Sequence, residues 1–229
     1  MSNSENTTKL HQLPYWQVNV SPDQRTEQCP DFLRDISDKD QRILSTWDND
    51  YRRDSWEQVK EIVARNDLAS FRRVPSDLRR YLEFKFKVQK EYGSILNYVR
   101  QKRLKWQSDT PSGEPPFSNP TDYTILWNDW PYGISTDITH LVVWTKFVLE
   151  TESITDDILS STRAVIENFV VKVFCDNGGP ERSKVIWFKN WSSLKSIDGI
   201  EHFHVMLYKA DGDFIGRVTC DDHPLCVSS

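Results

Sequence analysis

The chain has 229 residues, with 29 Lys or Arg against 34 Asp or Glu and a formal net charge of -5. Its hydrophobic fraction of 38% is modest, but nine Trp, eight Tyr and eleven Phe supply core material, since each aromatic buries about 150–250 Å². Global disorder is thereby excluded, and a pI near 5.6 argues against nucleic-acid binding, for which a domain pI above about 9 is the usual cue.

No apolar run of about 18 residues is present, so no membrane span is expected. Met1 to Gln12 is polar and lacks the apolar stretch of a secretory signal. The four Cys are therefore expected to stay reduced, and a cytoplasmic location follows. The length suits one large domain or a core with an added lobe.

Residues 1–40 are expected to form a flexible tail, except that the apolar Leu13-Pro14-Tyr15-Trp16 docks on the domain. Residues 41–106 are predicted to be a helical lobe. Ser55 and Gln58 form a capping-box signature ahead of Trp56, Val59, Ile62 and Val63 on one face. A second helix is expected after Val74-Pro75-Ser76-Asp77, with Ser76 as N-cap, and Gly93 interrupts it. The Lys and Arg residues between Arg79 and Lys105 lie among acidic neighbours and read as a solvated face.

Residues 107–122 hold four Pro and one Gly among polar residues and read as a linker loop. The period then changes from helical to alternating. Residues 123–220 are predicted to be a sheet region with strands at Tyr123–Trp127, Ile138–Leu149, Lys184–Lys189 and His202–Tyr208. Thr155 is expected to cap a long helix to about residue 175, and Ala210-Asp211-Gly212-Asp213 to turn into a last strand, Phe214–Thr219. Residues 221–229 are expected to be loose, and residues 41–220 one compact unit. The fold class is α+β: a helical N-terminal lobe on a mostly antiparallel sheet with one long helix.

Candidate chemistry lies in two places. Asn128-Asp129-Trp130-Pro131-Tyr132-Gly133 is followed by a strand that alternation divides into His140, Val142, Trp144 and Lys146 on one face and Leu141, Val143 and Thr145 on the other. A His, a Trp and a Lys on one face could line a pocket in which Trp stacks on a ring and Lys meets a phosphate; alternatively, Trp130 and Trp144 are core anchors beside a tight turn. In His202-Phe203-His204 both imidazoles share a face, which suits phosphoryl chemistry or a hydrogen-bonded structural role. Metal binding is not expected. The histidine pair has no third ligand, and Cys220-x2-His223-x2-Cys226 lacks a second ligand pair.

The runs Arg73-x-Pro75-Ser76-Asp77-Leu78-Arg79-Arg80-Tyr81, Asn128 to Gly133, His140-Leu141-Val142-Val143-Trp144-x-Lys146, Val185-Ile186-Trp187-Phe188-x-Asn190 and His202-x-His204-Val205 resemble the fungal family of the N-acetylglucosamine-induced protein. That resemblance implies a cytoplasmic role in amino-sugar metabolism and no particular reaction. The order strand, long helix, strand, then His202-Phe203-His204-Val205 is also similar to the histidine-triad nucleotide hydrolases and transferases, in which the middle histidine of a strand attacks phosphorus. One triad position is filled by Ile200 or by Met206, depending on register. Three functions stay open: binding a phosphorylated or nucleotide-linked sugar, a histidine-dependent nucleotidyl-sugar hydrolase or transferase, and a protein-interaction adaptor. The candidate catalytic residues are His202 and His204, and the candidate ligand-binding set is Asp129, Trp130, Tyr132, His140, Trp144, Lys146 and Asn190. No cofactor, nucleic acid or membrane partner is expected.

Overall fold

In the computed structural model, residues 13–225 are described, apart from 177, 195, 196 and 198. Helix α1 (Asp38–Leu44) is followed by α2 (Trp56–Ala64), whose start is the full capping box between Ser55 and Gln58. Helix α3 (Pro75–Tyr92) begins two positions earlier than Ser76 as N-cap would place it. Val74 is the N-cap and Pro75 takes the first helical position, where its missing N–H is harmless, while Asp48 Oδ1 accepts from Ser76 N. Gly93, at φ 75, ends α3 in the left-handed conformation, and Ser94 caps α4 (Ile95–Tyr98), which runs into a wider turn at Val99–Leu104.

The sheet comprises β1 (Tyr123–Trp127), β2 (Ile138–Thr145), β3 (Val185–Phe188) and β4 (Glu201–Tyr208), all antiparallel, in the order β1-β2-β4-β3. The register sets His140 opposite Met206, Val142 opposite His204 and Trp144 opposite His202. One face carries Leu141, Val143, Phe203, Val205 and Leu207 and packs under α5 (Ser160–Val170, continued as a wider turn to Cys175) and α6 (Gly212–Thr219). The other face is covered by the helical lobe: Ile138, Met206 and Phe188 meet Trp56, Val59 and Phe71, and Val142 and Trp144 meet Val99 and Leu104. The central strands are thus buried on both sides.

Four local expectations are corrected. Phe214–Thr219 is α6, not a strand, because Asp211 Oδ1 accepts from the backbone of both Asp213 and Phe214 and caps a helix there. Helix α5 starts at Ser160 rather than Thr155, since residues 151–158 close a small antiparallel bridge with Asp156 at φ 58. The stretch after the docking cluster is not wholly loose: Leu33 is fully buried with Leu44 and Leu78, while Tyr15 and Trp16 dock as expected, Tyr15 Oη donating to Leu33 O and Arg79 Nη1 to Trp16 O. Residues 221–225 are tied in as well, Asp222 forming a paired-oxygen contact with Arg103. The expected loose ends at residues 1–12 and 226–229, including Cys226, lie outside the described residues, as does Ser196. The 107–122 loop is anchored by Ser112, whose N and Oγ both donate to the buried Asp122 carboxylate, and by Phe117 stacked on Phe169.

Phe203 is fully buried among the rings of Phe117, Phe169 and Trp187. Phe203→Ala is expected to cost about 3–5 kcal/mol, whereas Val148→Ala, at a side chain 72% exposed, should stay within about 0.5 kcal/mol. Urea midpoints at constant slope measure both; a Phe203→Ala loss below about 1 kcal/mol would contradict this core assignment.

Candidate functional site

Between the sheet and the helical lobe lies a cavity of about 100 Å³. Its floor is the lobe-facing side of β2 and β4, where strand alternation places Val142, Trp144, His202 and His204. One wall is the loop after β1, with Asp129, Trp130 and Tyr132, and another is Asn190 just past β3. The lobe closes it with Arg73, Tyr81, Phe84, Tyr98 and Arg103. The loop is held in place by backbone bonds from the lobe: Gly133 N donates to Arg72 O at 2.7 Å and Asp54 N to Gly133 O at 3.0 Å. Gly133 is required by this approach, because a Cβ there would sit 2.2 Å from Tyr51 Oη.

His140 stands behind the floor and is joined to the cavity by a continuous hydrogen-bond chain. Trp130 N donates to Asn128 Oδ1, which turns Asn128 Nδ2 toward His140, 3.2 Å from Nε2 and 3.4 Å from Nδ1. His140 Nε2 then lies 3.0 Å from His204 Nδ1, and His204 Nε2 lies 3.1 Å from Asn190 Nδ2. An amide nitrogen can only donate. Asn190 therefore sets the polarity: it donates to His204 Nε2, and His204 carries its proton on Nδ1 and donates it to His140 Nε2. Asn190 Nδ2 also donates to Tyr132 Oη at 3.3 Å. The Oδ1 of Asn190 is left buried without a partner, as is Trp130 Nε1. Such groups cost about 1–3 kcal/mol each when unsatisfied.

His202 belongs to a different arrangement. Its Nδ1–H donates to Ile200 O at 3.0 Å, and its ring lies against Trp144 with centroids 4.6 Å apart. Burial, and then Arg73, push the His140 imidazole down to about 3. His204 is held well below the ordinary value by burial, then by His140, His202 and Arg73. The His140 and His204 rings are both neutral at physiological pH.

The charges divide into two groups. Arg103 is shared by Asp222 (2.8 Å from both guanidinium nitrogens) and Asp129 (2.9 Å), and Asp222 Oδ2 also accepts from Trp127 N. Leu225 N donates to Asp129 Oδ1. Burial pushes the Asp129 carboxyl up to about 6, against the lowering effect of Arg103 and Leu225. Arg73 is different: among the described residues no carboxylate forms an ion pair with it. Its Nε donates to Trp130 O, and its guanidinium carbon lies 4.0 Å from the Tyr81 ring centroid and 5.6 Å from that of Tyr132.

Of the residues singled out from sequence, the structure brings Asp129, Trp130, Tyr132, Trp144, Asn190, His202 and His204 to the cavity and places His140 directly behind it. Lys146 is not among them. Strand β2 ends at Thr145, and Lys146 Nζ sits 5.3 Å from the Trp106 ring centroid, in a separate groove with Glu201. The lobe residues Arg73, Tyr81, Phe84 and Arg103 are not among the candidate site residues of the sequence. Arg103 lies in the Arg79–Lys105 stretch that reads as a solvated face, and Arg73 and Tyr81 enter only through the run Arg73 to Tyr81 that carries the family resemblance.

The linkage sign for these two histidines is clear. In the folded chain both imidazoles refuse protons that the unfolded chain accepts near pH 6.5, so their contribution is present above that value and lost as pH falls below it. Asp129 acts in the opposite sense between about pH 4 and 6, because its folded carboxyl holds a proton longer. Unfolding free energy is therefore expected to decline from pH 7 to pH 5, at about 1.4 kcal/mol per unit for each net proton. An unchanged urea midpoint over that interval would show that the buried imidazoles are not neutral.

Among the described residues no helix is long and apolar enough to cross a membrane, and no group of three His, Cys, Asp or Glu could hold a metal ion. The chain is 28% identical over 184 residues to N-acetylglucosamine-induced protein 1 of Candida albicans, covering 72% of each chain. It is 31% identical over 157 residues to an uncharacterized protein of Saccharomyces cerevisiae, covering 67% of this chain and 78% of that one. The crystal structure of HTC1 aligns with a TM-score of 0.57 and 26% identity over 77% of this chain and 97% of that chain. A family model for a protein of unknown function, DUF3605, matches residues 55–208, which hold all four strands and the cavity residues from Arg73 to His204, and the chain belongs to that family.

Proposed function

We propose that the chain binds a phosphorylated or nucleotide-linked sugar in this cavity, in the cellular response to N-acetylglucosamine that gives its Candida relative its name. The observation that carries the reading is Arg73: a guanidinium at an aromatic-lined cavity, stacked on Tyr81 and without an ion-pair partner among the described residues. Guanidinium groups recognise phosphate through charge-assisted hydrogen bonds, and Trp130, Tyr132 and Trp144 offer faces for a ring. The volume of about 100 Å³ is below the roughly 300–1,000 Å³ of sites that enclose a whole drug-sized ligand. A nucleotide-linked sugar would thus insert one part and leave the rest at the mouth.

A second reading is histidine-dependent nucleotidyl transfer through His202, whose Nδ1–H donates to Ile200 O and whose Nε2 is then the basic ring nitrogen. Release of a nucleoside monophosphate from a nucleotide sugar, abolished in His202→Ala with binding retained, would support this second reading.

Calorimetry with sugar phosphates and nucleotide sugars, against the free sugars, tests the first. Phosphorylated ligands are expected to bind and free sugars not, and Arg73→Gln should weaken binding at least tenfold, about 1.4 kcal/mol. Its unliganded melting temperature serves as the control for lost packing on Tyr81. If no phosphorylated sugar binds the unaltered chain, the reading fails.

A further inference from the structure

We propose that the cavity reads an acylamino group: Asn190 Oδ1 accepts from its amide N–H, and Trp130 Nε1 donates to its acyl oxygen. This deepens the sugar-phosphate reading and rests on it. Two independent observations lead there. Asn190 is only 6% exposed, its Nδ2 is engaged by His204 and Tyr132, and its Oδ1 has no partner. The indole of Trp130 is packed against Tyr81 and Phe84, and its buried Nε1 also has no partner. More than nine in ten buried polar groups in folded proteins are satisfied, so two exceptions on residues lining one cavity point to an absent ligand.

The chemistry of the pair narrows the ligand. One exception is an acceptor and the other a donor. A carboxylate or phosphate would suit Trp130 and repel the Asn190 oxygen. An ammonium group would suit Asn190 and leave the indole unsatisfied. A secondary amide presents N–H and C=O on opposite edges of one small plane, and a short acyl tail can rest on apolar lining such as Val142, Ile95 and Val99. The size agrees, because a cavity of about 100 Å³ suits an arm of a ligand rather than the whole.

Asn190 turns its Nδ2 to His204 Nε2 and Tyr132 Oη and leaves its Oδ1 for the ligand. With this orientation His204 carries its proton on Nδ1 and donates to His140 Nε2, so the buried histidines act as positioning residues for the Asn190 amide.

Calorimetry with a matched trio tests the proposal: N-acetylglucosamine 6-phosphate, glucosamine 6-phosphate and glucose 6-phosphate. The acetylated ligand is expected to bind at least tenfold more tightly than either of the others, and the ratio should shrink toward one in Trp130→Phe. Equal affinities of the three for the unaltered chain would overturn the acylamino assignment while leaving the sugar-phosphate reading intact. Binding of none would overturn both. An acetyl preference untouched by Trp130→Phe would overturn the role given to the indole. Because the first comparison uses the unaltered chain, it stands even if the variant fails to fold.

Discussion

Covering an antiparallel sheet on both faces removes water from every group its central strands carry, and most features of this protein follow from that removal. Strands β2 and β4 place three histidines on the face beneath the helical lobe, each no more than 6% exposed. Burial and the nearby Arg73 charge disfavour an imidazolium at His140 and His204, so these rings stay neutral and satisfy one another. The result is a chain of hydrogen bonds from the loop after β1, through two rings, to Asn190. A chain of this kind has a direction, and its direction decides which atom it presents at its end.

The helical lobe performs two tasks at once. It is the second cover of the sheet, through Trp56, Val59, Phe71, Val99 and Leu104, and it supplies both guanidinium groups at the cavity. These two cations are treated differently. Arg103 is shared between two carboxylates and serves as a joint between lobe, loop and C-terminal segment. Arg73 is fixed by a backbone carbonyl and an aromatic face, which hold it without neutralising it. Such fixation without compensation keeps a cation available to a ligand.

The strand half of the site is legible in the sequence, and the helical half is not. Alternation assigns a face to each residue of β2 and β4, so the amino-acid order alone groups His140, Trp144, His202 and His204. Local chemistry is equally informative for the capping box at Ser55 and for the stop at Gly93. Lys146 departs from its expected place because alternation ends with the strand at Thr145. Phe214–Thr219 is ambiguous by pattern because short apolar runs suit either period, and Asp211-Gly212, which resembles a hairpin turn, is in fact the helix cap that decides the matter. Arg73 and Arg103 lie on elements whose orientation depends on how the lobe docks, a tertiary fact that helical periodicity alone does not contain.

The joint at Arg103 carries an implication for folding. Its two carboxylate partners lie at positions 129 and 222, so one of them is separated from it by most of the sheet region. Domains are made from the N-terminus but generally fold as units. Without residue 222, Arg103 lacks one counter-charge and Trp127 N lacks its acceptor. This wall of the cavity is therefore tied to a contact that spans more than a hundred residues of chain, and it closes only with the rest of the fold.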